Sequence, residues 1–188
     1  MKKEPLILAS GSPRRRQLME QGGYEFLVRP TDADENAEGH ARDLVVELSR
    51  RKARAAVGEN PGCTILAADT LVSLDGVPLG KPQDEGEAFR MLKSLSGRTH
   101  QVYTGVCVIR DDVELAEAAE TGVRFRALTD EEILAYIATG EPMDKAGAYA
   151  IQGGAGAFVE EYIGPYDNVI GLPMETVAKL LRGAGYQA

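Results

Sequence analysis

The chain contains no tryptophan, only two histidines and two cysteines, and aromatic residues make up 6% of its 188 positions. Cys63 and Cys107 lie far apart in sequence, each in an apolar run, and neither shows metal-ligand spacing. That argues against a disulfide framework and a thiolate metal site. Both are expected to be buried and reduced, which fits a cytoplasmic location. His40 and His100 have no partner spacing, so His100 is read as structural and His40 as exposed. No apolar run is long enough to cross a membrane. Lys2 and Lys3 precede a short apolar stretch but are not read as a secretory signal, because the stretch is too brief and arginines follow at once. Basic residues are also in deficit: 21 Lys and Arg against 29 Asp and Glu give a net charge of -8. With so few aromatics to stack on bases, this excludes a general nucleic-acid-coating role. Positive charge must act locally.

What is present describes a globular protein. At 44% hydrophobic the chain can bury a real core. Its length suits a single domain over 1–188, with no repeat or low-complexity linker. The patterning predicts a strand over 6–9, a helix over 13–21 stopped by Gly22-Gly23, a short strand over 26–29 and an acidic loop over 31–39. A helix over 42–57 and a buried strand over 64–68 follow. A strand over 71–74 then enters an Asp75-Gly76 hairpin turn. Next come a helix over 85–94, long strands over 102–110 and 113–126, and a helix opened by the Thr129/Glu132 capping box. Short strands over 148–151 and 157–162 and a helix from Pro173 to before Gly183 complete the chain. Helices and strands mix without strict alternation, so the fold class is α+β (mixed α/β) with a mixed sheet.

Five stretches carry chemistry. In Ser10-Gly-Ser-Pro-Arg-Arg15 a strand runs into a helix start. Pro13 suits the first helical position, and free N–H groups, the Ser10 and Ser12 hydroxyls and the arginine forks suit phosphate. The spacing is not that of a Walker A loop. Asp69-Thr70 follows the 64–68 strand, at the expected carboxyl edge of the sheet, where a carboxylate can orient water or a divalent ion. Gly80-Lys81-Pro82 offers a positive point charge, and Asp32, Asp34 and Glu35 place three carboxylates in one loop. Asp144-Lys-Ala-Gly-Ala-Tyr-Ala-Ile-Gln152 delivers a glutamine amide into a glycine-rich turn. There it can pair with the O4 and N3–H of uracil or thymine. Each stretch alone also has an ordinary reading as turn, strand end or solvated loop. Together they form the set a nucleotide hydrolase requires.

The chain resembles, almost end to end, the Maf family of nucleoside triphosphate pyrophosphatases. The resemblance is carried by Leu8-Ala-Ser-Gly-Ser-Pro-Arg-Arg15, Lys52-Ala53, Ala68-Asp-Thr70, Gly80-Lys-Pro82 and Ser96-Gly-Arg-Thr-His100. It continues through Tyr103-Thr-Gly105, Asp144-Lys-Ala-Gly-Ala-Tyr149, Ile151-Gln-Gly153 and Asn168-Val-Ile-Gly-Leu-Pro173. The stretch ending in Gln152 is similar to the branch preferring dTTP and UTP rather than 7-methyl-GTP. Ser49 and Ala150 stand where the family usually has alanine and glycine.

The resemblance implies a two-lobed, inosine-triphosphatase-like fold with a twisted mixed sheet and a central cleft. It implies cleavage between the α and β phosphates. Asp69 matches the proton acceptor, and Arg14, Thr70 and Gln152 match positions tied to base preference. Ser10, Ser12, Arg15, Lys52 and Lys81 are expected at phosphate. Mg²⁺ or Mn²⁺ is expected as cofactor, on Glu35 and Asp69. The expected partner is the nucleoside triphosphate, with no nucleic acid and no membrane, and a homodimer is allowed. The alternative is a nucleotide-binding regulator of septum formation without turnover. A sensor needs no water-activating carboxylate, so Asp69 with Glu35 and two lysines favours the enzyme. Arg16 is expected to face solvent.

Overall fold

Strand alternation puts successive side chains on opposite faces of a sheet, and one long strand sorts the core that way. The computed structural model describes residues 5–187, so Lys2 and Lys3 lie outside the described residues. Its elements run β1 (Leu6–Leu8), α1 (Pro13–Gln21), β2 (Leu27–Val28), α2 (Ala41–Val57), β3 (Thr64–Leu74), β4 (Val77–Leu79) and α3 (Glu85–Leu95). They continue β5 (Thr99–Arg110), β6 (Val113–Phe125), α4 (Asp130–Ile137), β7 (Val159–Ile163), α5 (Tyr166–Ile170) and α6 (Met174–Gly183). One seven-stranded sheet orders them β2-β1-β3-β5-β6-β7, with β4 on β3. β1 pairs in parallel with β2 and β3, and the remaining pairs are antiparallel. This is the mixed sheet expected.

Ile65 and Ala67 of β3 pack with Ala53 and Ala56 of α2 and with Cys107 on one face. Leu66 and Ala68 pack with Met19 of α1 and Val177, Leu180 and Leu181 of α6 on the other. A second lobe gathers Leu92 and Leu95 of α3, Ile133 and Ile137 of α4, Phe125, Tyr149 and Phe158. The hairpin at Asp75-Gly76 has both residues at positive φ, 52° and 80°, as a two-residue turn between twisted strands requires. The capping box forms: Thr129 Oγ1 accepts from Glu132 N, and Glu132 Oε2 accepts from Thr129 N.

Four expectations are corrected. The strand over 64–68 does not end before Asp69. It runs unbroken to Leu74, because Asp69 and Thr70 stay in the ladder opposite Gly105 and Thr104. The segment over 148–151 is not a strand. Gly147 and Ala148 are left-handed (φ 71° and 64°), and their residues bury against the second lobe instead of pairing. The strand expected over 157–162 is β7, shifted to Val159–Ile163 because a 3₁₀ turn occupies Gly154–Phe158. Cys107 is buried as expected, with its thiol pushed up to about 12 by burial, but Cys63 is only half-buried. Helix α5 had no expectation at all. Its five residues are too few to show a helical period.

His100 is structural. It is fully buried, its Nε2 lies 2.6 Å from Tyr149 Oη, and it packs edge-on against Phe125 and Tyr149. Burial pushes the ring down to about 4 from 6.5. The folded protein therefore holds His100 neutral while the unfolded chain takes up a proton near pH 6.5. The contribution is full above that pH and is lost as pH falls toward 4, about 3 kcal/mol in all. Urea titrations should show stability falling more steeply from pH 7 to pH 4 in the native protein than in His100→Gln. Parallel curves would show that His100 does not carry this loss.

Candidate active site

The site lies at a gap in one edge of β3. On that edge β1 pairs with β3 as far as Leu8 opposite Leu66, and pairing with β4 starts only at Val72, opposite Leu79. Among the described residues no strand pairs with the stretch between. Asp69 and Thr70 sit in this gap, facing opposite sides of the sheet. Asp69 opposes Gly105 beneath α2, and Thr70 opposes Thr104 beneath α5.

On the α2 side, Lys52 Nζ lies 2.6 Å from Asp69 Oδ1 and 2.8 Å from Glu35 Oε1. Asp69 is 8% exposed, so its charge is poorly solvated and needs that ammonium. Glu35 is exposed, and the Lys52 hydrogen bond holds its carboxyl below the usual range. Thr31 Oγ1 donates to Lys52 O, and Arg51 Nη1 donates to Asp34 O and Asn36 O, so the acidic loop is tied to α2. Of Asp32, Asp34 and Glu35, only Glu35 reaches the ammonium. Asp34 Oδ1 instead accepts from Asn36 N, and Asp32 is exposed.

Two carboxylates around one cation are oxygen donors suited to a hard divalent ion. Among the described residues no group of three or more His, Cys, Asp or Glu is placed to hold a metal ion. An ion here would therefore complete its shell from a phosphate chain, as Mg²⁺ commonly does. The donor set fits on those terms.

On the other side, Arg15 is the brace. Its Nε donates to Gly171 O at 2.8 Å, Nη2 to Thr70 Oγ1 at 3.0 Å and Nη1 to Ser10 Oγ at 3.3 Å. Burial holds the guanidinium below its ordinary pKa, opposed by the charge of Asp69. Ser12 caps α1, its Oγ accepting from Arg15 N. Ser10 is buried, and its Oγ also accepts from Ser12 N. Arg16 points outward and pairs with Glu20.

A cavity of about 260 Å³ opens here. Ser12, Arg14, Arg15, Thr70, Asp144 and Lys145 supply polar groups to its lining. Val72, Val102, Tyr149, Ile151 and Ile170 are among its apolar lining residues. Arg14 and Thr70 therefore line one cavity. Gln152 does not line this cavity. It is exposed in the turn beyond Ile151. Lys81 is exposed on a loop whose Gly80 O accepts from Gly147 N, and its charge acts on both Glu35 and Asp144. Gly171 O and the α5 wall are site elements that the sequence reading misses. Their one signal is the Asn168-Val-Ile-Gly stretch. Asn168 holds that wall, its Nδ2 donating to Val102 O and Thr121 Oγ1 while its carbonyl accepts from Thr104 Oγ1.

Comparison with known proteins places the chain among relatives. The family model described as Maf-like protein matches residues 5–184. The dTTP/UTP pyrophosphatase of Thermococcus gammatolerans is 55% identical over 182 residues, 97% of each chain. That of Symbiobacterium thermophilum is 50% identical over 186 residues, 97% of this chain and 95% of its own. That of Bdellovibrio bacteriovorus is 46% identical over 188 residues, 95% of this chain and 98% of its own. A solved HAM1 protein from Coxiella burnetii superposes with a TM-score of 0.51 at 15% identity, covering 96% of this chain and 99% of its own, a likeness of fold alone.

Proposed function

The chain belongs to the Maf-like family, and we propose from that premise how its site works as a nucleoside triphosphate pyrophosphatase on dTTP and UTP. The observation that carries the reading is the pairing, across one strand edge, of a carboxylate–lysine–carboxylate cluster with a half-apolar cavity rimmed by arginines. The base and sugar occupy the cavity on the Thr70 side. The triphosphate crosses the open edge of β3 toward Asp69. A water oxygen bonds to the α-phosphorus, the α-phosphorus bond to the bridging oxygen breaks, and pyrophosphate leaves with that oxygen. Asp69 takes the water's proton, on the oxygen that Lys52 does not engage. Arg15 keeps two N–H donors beyond its three protein bonds, and these, with Lys52, Lys81 and the Ser10 and Ser12 groups, bear on phosphate charge. Donors set in advance around developing charge commonly supply the greater part of such rate enhancements.

Glu35 and Asp69 would hold a divalent cation, Mg²⁺ or Mn²⁺, together with the phosphates. When bound, it neutralises phosphate charge and polarises the phosphoryl oxygen. Arg14, Thr70 and Gln152 bear on base choice, Gln152 from the rim. Among the described residues no helix is long and apolar enough to cross a membrane. A cytoplasmic protein acting on a soluble nucleotide, as a homodimer or alone, fits this reading.

The test is pyrophosphate release from a panel of canonical and modified nucleoside triphosphates with Mg²⁺ or Mn²⁺. dTTP and UTP should lead the panel, and binding without release would favour the regulator. Gln152→Ala should flatten the preference for these two over purine nucleotides by about tenfold. An unchanged ranking would remove Gln152 from base reading.

A further inference from the structure

The cavity that Arg14 and Arg15 line also holds a side-chain pair without an assigned role. Lys145 Nζ donates to Asp144 Oδ1 at 2.6 Å, and both residues line the cavity. They open the short segment whose left-handed Gly147 and Ala148 turn the chain back against Val72. Gly147 N donates to Gly80 O, so the segment is anchored and not a free loop. One of three ammonium donors is used on Asp144. The other two, and the remaining carboxylate lone pairs, are open to a ligand. The neighbouring ammonium holds the Asp144 carboxyl below its usual range, so the acceptor stays ionised at neutral pH.

We propose that the Asp144–Lys145 pair reads the imide edge of the base, Lys145 donating to the O4 carbonyl and Asp144 accepting from N3–H. The inference rests on the pyrophosphatase reading and adds the group that distinguishes uracil and thymine from cytosine. Cytosine presents the inverse edge: its N3 lone pair would face the carboxylate and its amino group the ammonium. Both contacts repel, in a wall otherwise lined by Tyr149, Ala150 and Ile151. Gln152, exposed and outside the cavity lining, is not placed to supply this discrimination. The cavity, about 260 Å³, also falls at the small end of ligand sites, which run from roughly 300 Å³ upward. That suits one ring better than two.

The experiment compares kcat/KM for UTP, CTP and N3-methyl-UTP in the native protein, Asp144→Ala, Lys145→Met and Lys145→Arg. Each ratio of two substrates is taken on one preparation, so the folded fraction cancels. The native protein should prefer UTP over both others by at least about tenfold, the size of one well-made base contact. Asp144→Ala should lose the N3-methyl penalty, Lys145→Met should lose the preference over CTP, and Lys145→Arg should keep it. Native ratios in both Asp144→Ala and Lys145→Met overturn the pair as reader while leaving the pyrophosphatase reading intact. Absence of turnover on UTP and dTTP in the native protein would instead remove the reading beneath it.

Discussion

Asp69→Asn is expected to abolish pyrophosphate release, lowering kcat by about 10²–10⁴, the range over which a positioned general base acts. Asparagine keeps the shape of the side chain and its place opposite Gly105, but cannot accept a proton from water. The fold should survive. Lys52 retains Glu35 as a partner at 2.8 Å, so no charge is left alone in the half-buried pocket, and the ladder between β3 and β5 is unaffected. The thermal midpoint and dTTP binding should stay close to native while release, followed by a coupled phosphate assay, disappears. Turnover near the native rate would remove Asp69 as the base.

Gly105→Ala should be the more damaging change to the molecule as a whole, although Gly105 touches no substrate. A Cβ there would fall 2.1 Å from the Val45 carbonyl oxygen of α2. The obstacle is helix backbone, so α2 must lift from the sheet. Its inner face includes Ala41, Ser49, Ala53 and Ala56, all buried and small, which is what so close an approach demands. Overpacking of this kind costs about 2–3 kcal/mol, a fall in Tm of roughly 5–10 °C for a chain of this size. Lifting α2 also carries Lys52 away from Asp69, and a shift on the order of 1 Å in such a group costs about a hundredfold in rate. The same substitution at Gly122 is the control. There the new methyl meets only the exposed side chain of Ile163 at 3.3 Å and the Thr99 methyl at 3.5 Å. A Gly105→Ala protein as stable and active as Gly122→Ala would show that the helix does not need this approach.

The opening loop is legible in the sequence because proline, serine and arginine each have one obvious use at a helix start. Ser12 does cap α1 and Pro13 does begin it. The β5–β6 hairpin is also readable, since both strands are long and a turn separates them. The position of Asp69 is misread for a definite reason. Two polar residues in an apolar run look like the end of a strand, yet a polar pair remains in the ladder when it faces Gly105 and Thr104 on the neighbouring strand. Pattern alone places Gln152 at the base, but the turn that holds it depends on Glu141. That carboxylate accepts from Gly154 N and fills the space a side chain at Gly153 would need. No local pattern announces a contact of that kind. Asp144 and Lys145 stand in plain view within a chemistry-bearing stretch, and only the cavity gives them a purpose.

The cavity wall has a consequence for how such a protein can change. Much of its lining comes from residues 144–151 and 169–171, whereas the groups proposed around the reacting phosphate, Glu35, Lys52, Asp69 and Lys81, all precede residue 82. On the proposed reading, cleavage is thus written in the earlier half of the chain and choice of nucleotide largely in the later half. Ser12, Arg14, Arg15, Thr70 and Val72, which the earlier half lends to the cavity, are where the scripts overlap. A lineage could exchange one base for another by rewriting the later half, with the hydrolytic half inherited intact.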